Sequence, residues 1–288
     1  MSTTTTKMAR GVSGVVGLYL AAMVLICASF VWAVPAPLES RQAPNQAAID
    51  NPTDQTASLN VTMFILPIPL SEAASIASPY KLLPDHGLPA SVIPDGYFPI
   101  QVRANYFYDI RQKALGIPLQ VPQLTSLALY LPFIDVLGDG KTAFKRSAIQ
   151  YFDQILPTLV GGLTQFQNGQ VAFFDPAHAA YKPSGGNTLS FTAAQGISNP
   201  IDGPGIVNPI FQAVFQRTSS SPISEAKHRS ILAQPLYTTP GTGCNMETIL
   251  FNYTNANPSF VTGDVQIFTP FTKENNDYKT AYGYTAAT

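Results

Sequence analysis

The sequence predicts one mainly β domain with two or three short helices, built as an antiparallel barrel or sandwich. Three observations carry this. The chain is long, at 288 residues, enough for one sizeable core. Its 25 prolines and 20 glycines are spread along its length and cap the length of any helix. Between them lie many short runs rich in β-branched and aromatic residues.

The elements follow in order. Residues 1–33 open with Lys7 and Arg10, and Gly11 to Val34 then runs without a charge. Val31-Trp32-Ala33 fits cleavage after Ala33, so the segment reads as a secretory signal peptide. An uncleaved anchor is the alternative, because about 20 apolar residues span a bilayer. Either way the chain is expected in the secretory pathway, secreted or anchored, with residues 11–34 as its one membrane contact if uncleaved. The sequons at Asn60 and Asn252 agree and are candidate glycosylation sites.

Residues 34–58 lack apolar periodicity and read as a linker or propeptide. The domain is expected over 59–272. Phe64-Ile65-Leu66 reads as a strand that Pro67 and Pro69 end or confine to an edge. Ser71 then caps a short helix with Glu72 in its first turn, and Pro79 stops it. Phe98 to Ile110 is strand-like, with Tyr106, Tyr108 and Ile110 on one face. "QLTSLALYLPFIDVL" is a further strand closed by Gly138-Asp139-Gly140. Residues 141–157 are expected to be helical, since Phe144, Ala148 and Tyr151 or Phe152 recur at helical spacing. Shorter β runs follow, and "SFVTGDVQIF" alternates as a half-buried strand does. The tail, 273–288, reads as polar and loose.

Composition narrows the function. Apolar residues make up 45% and charged residues 11% of the chain, and net charge is −1. Without Lys7 and Arg10 the balance is 14 basic against 17 acidic residues, or −3. No clustered basic face for nucleic acid follows from this. His86, His178 and His228 stand far apart in no ligand spacing, so neither a metal nor another cofactor is expected. No G-x-S-x-G or phosphate loop occurs. Cys27 lies in the apolar segment, which leaves Cys244 without an intrachain partner after cleavage and expected to be a small buried apolar side chain, or else to pair with another chain. "FFDPAHAAYKP" is read as an Asp-capped turn whose Phe173 and Phe174 enter the core, rather than a polar cluster at a barrel mouth.

The stretch "GKTAFKRSAIQYF" raises a chemical question. Lys145 stands beside Arg146 and behind Phe144. A lysine becomes a nucleophile near pH 7 when burial or a neighbouring cation lowers its pKa from about 10.4. Against this, adjacent residues on a helix do not face each other, and a Lys-Arg pair commonly solvates a helix face.

Several of these pieces together resemble the acetoacetate decarboxylase-like family. They are "LPIPLSEAASIASPYKLLP", a strand leading into a short helix and a proline-marked turn, and "IPDGYFPIQVRANYFYDI", a turn leading into a long strand. The resemblance spans Ile65 to Phe271. It implies a closed antiparallel β-barrel with a central apolar cavity, and decarboxylation of a small, apolar keto acid or polyketide-like compound through a Schiff base. "GDGKTAFKRSA" approximates the family's lysine motif, with Lys145 as the Schiff-base residue and Arg146 as the neighbouring cation, though it lacks the proline before the lysine and has arginine for the second lysine. Between Glu72 and Glu225 the acidic partners available are aspartates, such as Asp109 and Asp135. An alternative placement of the motif puts Gln167 and Asn168 where lysine should stand, which implies a barrel without this chemistry. Such a barrel would bind an apolar small molecule in its cavity without catalysis.

Overall fold

The computed structural model describes residues 45–114, 117–154, 169–199, 203–237, 244–251 and 256–287. The signal segment, Asn252, and the alternative motif at Gln167 and Asn168 lie outside them. No helix among the described residues is long and apolar enough to cross a membrane.

The fold is mainly β with a few short helices. In chain order the elements are α1 (Ala47–Asp50), β1 (Thr56–Pro69), α2 (Leu70–Ala77), β2 (Lys81–Leu82), β3 (Tyr97–Ala114), β4 (Ile117–Asp135) and β5 (Ala143–Phe152). Then come β6 (Gly169–Val171), β7 (Phe173–Asp175), β8 (Lys182–Pro183), β9 (Thr188–Asn199), β10 (Gly203–Thr218), α3 (Glu225–Leu232), β11 (Leu236–Tyr237), β12 (Cys244–Asn245), β13 (Ser259–Ile267) and β14 (Asn276–Ala287). The strands form one sheet in the order β12-β11-β5-β4-β3-β1-β14-β13-β10-β9-β7. Neighbours are antiparallel, except that β11 and β6 run parallel to β5. Among the described residues the ladder is therefore an open path. Its two flanks meet one short segment, because β6 pairs with β5 while β7, one residue further on, pairs with β9.

Turn chemistry ends β4 where the sequence suggests. Gly138 and Gly140 take φ of 70° and 68°, which glycine adopts without steric cost. The Asp135 carboxylate accepts from the amides of Asp139 and Gly140, and that of Asp139 accepts from Lys141 and Thr142. Ser224 caps α3, its hydroxyl oxygen accepting from the Lys227 amide at 3.2 Å.

Several expectations are corrected. Residues 141–157 do not form a helix: residues 143–152 are β5, hydrogen-bonded to β4 along its length. The register slips at Ala148, where Leu129 faces Ile149 but Tyr130 faces Ser147. That bulge switches which parity of residue points to the main core, so the core residues are Phe144, Ile149 and Tyr151, and a strand imitates helical spacing. Nor is the tail loose, since β14 lies mid-sheet between β1 and β13. Its "YGYTAA" is low in hydropathy, but tyrosine and threonine suit strands and Tyr284 and Thr285 are buried. The linker boundary also moves, because α1 and the start of β1 fall within 34–58.

Pro67 and Pro69 do not make β1 an edge strand, since β3 and β14 flank it, but the strand runs through Pro67 and ends at Pro69. They lie beyond the stretch Asn60 to Ile65 that pairs with β14, and Pro67 faces Pro99, a pair in which neither residue has an N–H to give. The cap of α2 is Pro69, not Ser71, and the Glu72 carboxylate accepts instead from the Lys273 amide at 2.9 Å. Cys244 is exposed rather than buried, because β12 is the outermost strand of the path. Of the two phenylalanines expected in the core, Phe174 packs on Phe191 while Phe173 is exposed.

The central strands are covered on both faces. On β3, Ile100, Val102 and Ala104 join the main apolar core, where Phe64 meets Phe215 at 5.4 Å between ring centroids. The alternate residues Gln101, Arg103 and Asn105 are equally buried on the opposite face. Side chains of α3 and of the 244–251 segment reach this second, polar layer.

Candidate active site

Strand alternation sends Lys145 and Arg146 to opposite faces of β5. Arg146 points to the end of α2, where its Nη1 donates to the carbonyls of Ile76 at 2.5 Å and Ser78 at 3.1 Å. It satisfies orphan carbonyls of a helix terminus and lies against the Tyr237 ring. Arg146 is therefore not the cation beside the amine.

Lys145 is fully buried in the polar layer. Its Nζ donates to the carbonyl of Leu232, the last residue of α3, at 2.5 Å, and lies 3.3 Å from Glu247 Oε2. The carbonyl end of a helix favours a cation there. The neighbouring cation is Arg103. Its Nη1 reaches the same Glu247 Oε2 at 2.9 Å, and its Nη2 reaches Glu247 Oε1 at 3.3 Å and the Tyr130 hydroxyl at 2.7 Å. Both cations lie over the Tyr130 ring, Arg103 Cζ at 4.2 Å and Lys145 Nζ at 5.6 Å from its centroid. Gln150 also donates to the Tyr130 hydroxyl, at 2.9 Å.

Two cations thus share one carboxylate, which leaves an uncompensated positive charge in a buried layer. Arginine does not lose its proton, so the strain falls on the lysine. Burial lowers the Lys145 pKa most, Glu247 pulls it back up, Arg103 pushes it down, and the result is about 8. For Glu247, burial acts upward but Arg103 and Lys145 outweigh it, holding the carboxyl at about 2. Burial raises the pKa of the Tyr130 hydroxyl. The Glu247 side chain as a whole is 32% exposed, against 2% for Arg103 and 0% for Lys145.

Sequence reasoning found Lys145 and missed Arg103, Tyr130 and Glu247. The local pattern hid Arg103, because Gln101, Arg103 and Asn105 alternate with Ile100, Val102 and Ala104 as the solvent face of a half-buried strand does. Glu247 lies 102 residues from Lys145 with nothing local to connect them. The acidic candidates are elsewhere: Asp109 binds Arg111 and Gln120, and Asp135 holds the β4–β5 turn. Asn60 sits half-buried in β1, and the Thr62 of its sequon is buried against Thr285. Among the described residues no three His, Cys, Asp or Glu side chains group as a metal site.

No family model and no curated protein matches the chain. Among solved structures, the enduracididine biosynthesis enzyme MppR with HEPES buffer bound is similar at a TM-score of 0.45 and 11% identity, over 80% of this chain and 84% of that one. The same enzyme complexed with pyruvate is similar at 0.43 and 11%, over 80% and 86%. Acetoacetate decarboxylase from Legionella pneumophila subsp. pneumophila str. Philadelphia 1 is similar at 0.41 and 12%, over 89% and 90%. Acetoacetate decarboxylase is thus among the solved structures to which the chain is similar at long distance.

Proposed function

We propose that this chain is an enzyme of lysine-amine chemistry, with Lys145 forming a Schiff base with a keto acid and drawing electrons from the bond that loses CO2. The observation that carries the reading is a fully buried amine sharing one carboxylate with a buried guanidinium. The neutral Lys145 Nζ adds to the ketone carbon, and the carbonyl oxygen takes up protons and leaves as water, giving an iminium. The bond to the substrate carboxylate breaks, CO2 departs, and the electron pair moves toward the iminium nitrogen as an enamine. The enamine carbon takes a proton, and water hydrolyses the iminium to restore the amine. Arg103 plays two parts: it disfavours the ammonium form of Lys145, and its fork holds the Glu247 carboxylate that both cations share.

The closed-barrel reading belongs to the same proposal, with the run from β6 through Ala172 to β7 joining β5 to β9. So does an extracellular setting, with residues 1–33 as signal or anchor and Asn60 and Asn252 as glycosylation sites. Loss of a mass shift on glycosidase treatment in the Asn60→Gln and Asn252→Gln variants checks the latter. The alternative, an apolar ligand inside the main core, needs room where Phe64 meets Phe215 at 5.4 Å and Tyr151 meets Phe271 at 5.8 Å.

The test is CO2 release from a panel of β-keto acids by the wild type and by Lys145→Arg. At least one acid should lose CO2 faster with the wild type and at the background rate with the variant. Release that persists in Lys145→Arg, or none from any acid, contradicts the proposal.

A further inference from the structure

On the face that carries Lys145, the β3, β4 and β5 side chains form a grid. Gln101 faces Tyr130, which faces Ser147; Arg103 faces Ala128, which faces Gln150; Asn105 faces Ser126. The grid is polar and buried, yet incompletely bonded. Gln101 Oε1, Arg103 Nε, Asn105 Oδ1 and Ser147 Oγ have no hydrogen-bond partner among the described residues. The one bond of the Gln101 amide is to the Met63 sulfur at 3.7 Å, a weak acceptor. Asn105 uses one amide hydrogen on Ser126 Oγ at 3.1 Å. Native interiors leave few such atoms, and each calls for a reason.

These atoms lie in a row. Residues two apart on a strand are separated by about 6.7 Å, so Gln101 to Asn105 spans about 13 Å with Arg103 at its middle. Ala128, the smallest side chain in the grid, lies between Arg103 and Gln150. Tyr130 links the row to Lys145, since its ring lies under both cations. An apolar ligand would leave every one of these groups unpaired, at a cost in binding free energy.

We infer that the row Gln101–Arg103–Asn105, with Ser147, is a ligand-binding subsite for a hydroxylated carboxylate, so that the keto acid presented to Lys145 is polar rather than apolar. The inference rests on the Lys145 reading for the reacting end of the ligand. A hydroxyl both donates and accepts, so it satisfies the free side of either amide in either orientation. Arg103 Nε supplies a donor between the two amides.

Thermal shift with non-reacting carboxylates tests the subsite without requiring Schiff-base chemistry. Glycerate and gluconate should raise the melting temperature at concentrations where propionate does not. In the near-isosteric variants Gln101→Met and Asn105→Leu, the glycerate affinity should fall at least tenfold while the ligand-free melting temperature holds or rises. Equal shifts by propionate and glycerate, or variants that keep the preference, overturn the inference, as does a fall in ligand-free stability in both variants, which would show the amides already satisfied. Reductive trapping separates the two ideas. Trapping of pyruvate on Lys145 with no advantage for hydroxypyruvate overturns the subsite and leaves the Lys145 reading standing. Glycerate binding with no trapping of either keto acid supports the subsite and overturns the Lys145 reading.

Discussion

The pH at which Lys145 becomes reactive should respond in opposite directions to removal of its two charged neighbours. With a pKa of about 8, against an ordinary 10.5, roughly a tenth of Lys145 is neutral at pH 7, while a solvated lysine is neutral on the order of 0.03% of the time. The difference is about 300-fold in available nucleophile. Glu247 raises the Lys145 pKa and Arg103 lowers it. Glu247→Gln should therefore move half-maximal reactivity below pH 8, and Arg103→Met should move it above. Glu247→Gln should also cost on the order of 2–3 kcal/mol of stability, because Arg103 keeps its burial and loses its anion. Competitive reductive methylation across pH 6–11, read residue by residue by mass spectrometry, measures this. The reasoning is refuted if Lys145 titrates with the surface lysines, or if both variants shift it the same way. The sign for stability follows from the same shift. The folded state binds fewer protons than the unfolded chain between pH 8 and 10.5, so stability should rise through that window, by about 3 kcal/mol at most, and Lys145→Met should flatten the rise.

Three other outcomes are expected. His228 is buried and stacked on Tyr284, and burial holds its pKa at about 4; stability should therefore be full above pH 6.5 and fall by about 3 kcal/mol as pH drops toward 4, a loss that His228→Phe should reduce in urea titrations. Gly263→Ala and Gly283→Ala each place a methyl group 2.2 Å from a backbone oxygen, of Val214 and Met63 respectively, and should cost about 3 kcal/mol or prevent folding, as seen in denaturation midpoints. Arg146→Met should cost about 1 kcal/mol through the lost contacts at the end of α2 but leave the reactivity profile of Lys145 unchanged, which separates the sequence neighbour from the spatial one.

The β-rich class was legible because it rests on local signals. Turn residues such as Gly138-Asp139-Gly140 and the alternation around Val261 and Val265 speak for themselves. β5 was misread because a bulge at Ala148 changes the parity of its core residues, and a bulge leaves no mark in a single sequence. β14 was missed because its mid-sheet burial depends on β1, more than 200 residues away in the chain, and not on its sequence neighbour β13 alone. The site divides the same way. Lys145 stood out through chemistry that its neighbours suggested, but the suggested neighbour was the wrong one. In a strand the next residue points away, and the groups that set the amine's properties are cross-strand or from a covering segment: Arg103 and Tyr130 from β3 and β4, Glu247 from 244–251.

The most direct measurement is the mapping of a reduced adduct. The protein is incubated with a keto acid at pH 7.5 in cyanoborohydride and digested, and each lysine peptide is weighed. The peptide carrying Lys145 should gain the mass of the reduced imine first, well ahead of those carrying Lys141, Lys182 and Lys279. Labelling spread over those surface lysines while Lys145 stays unmodified would contradict it.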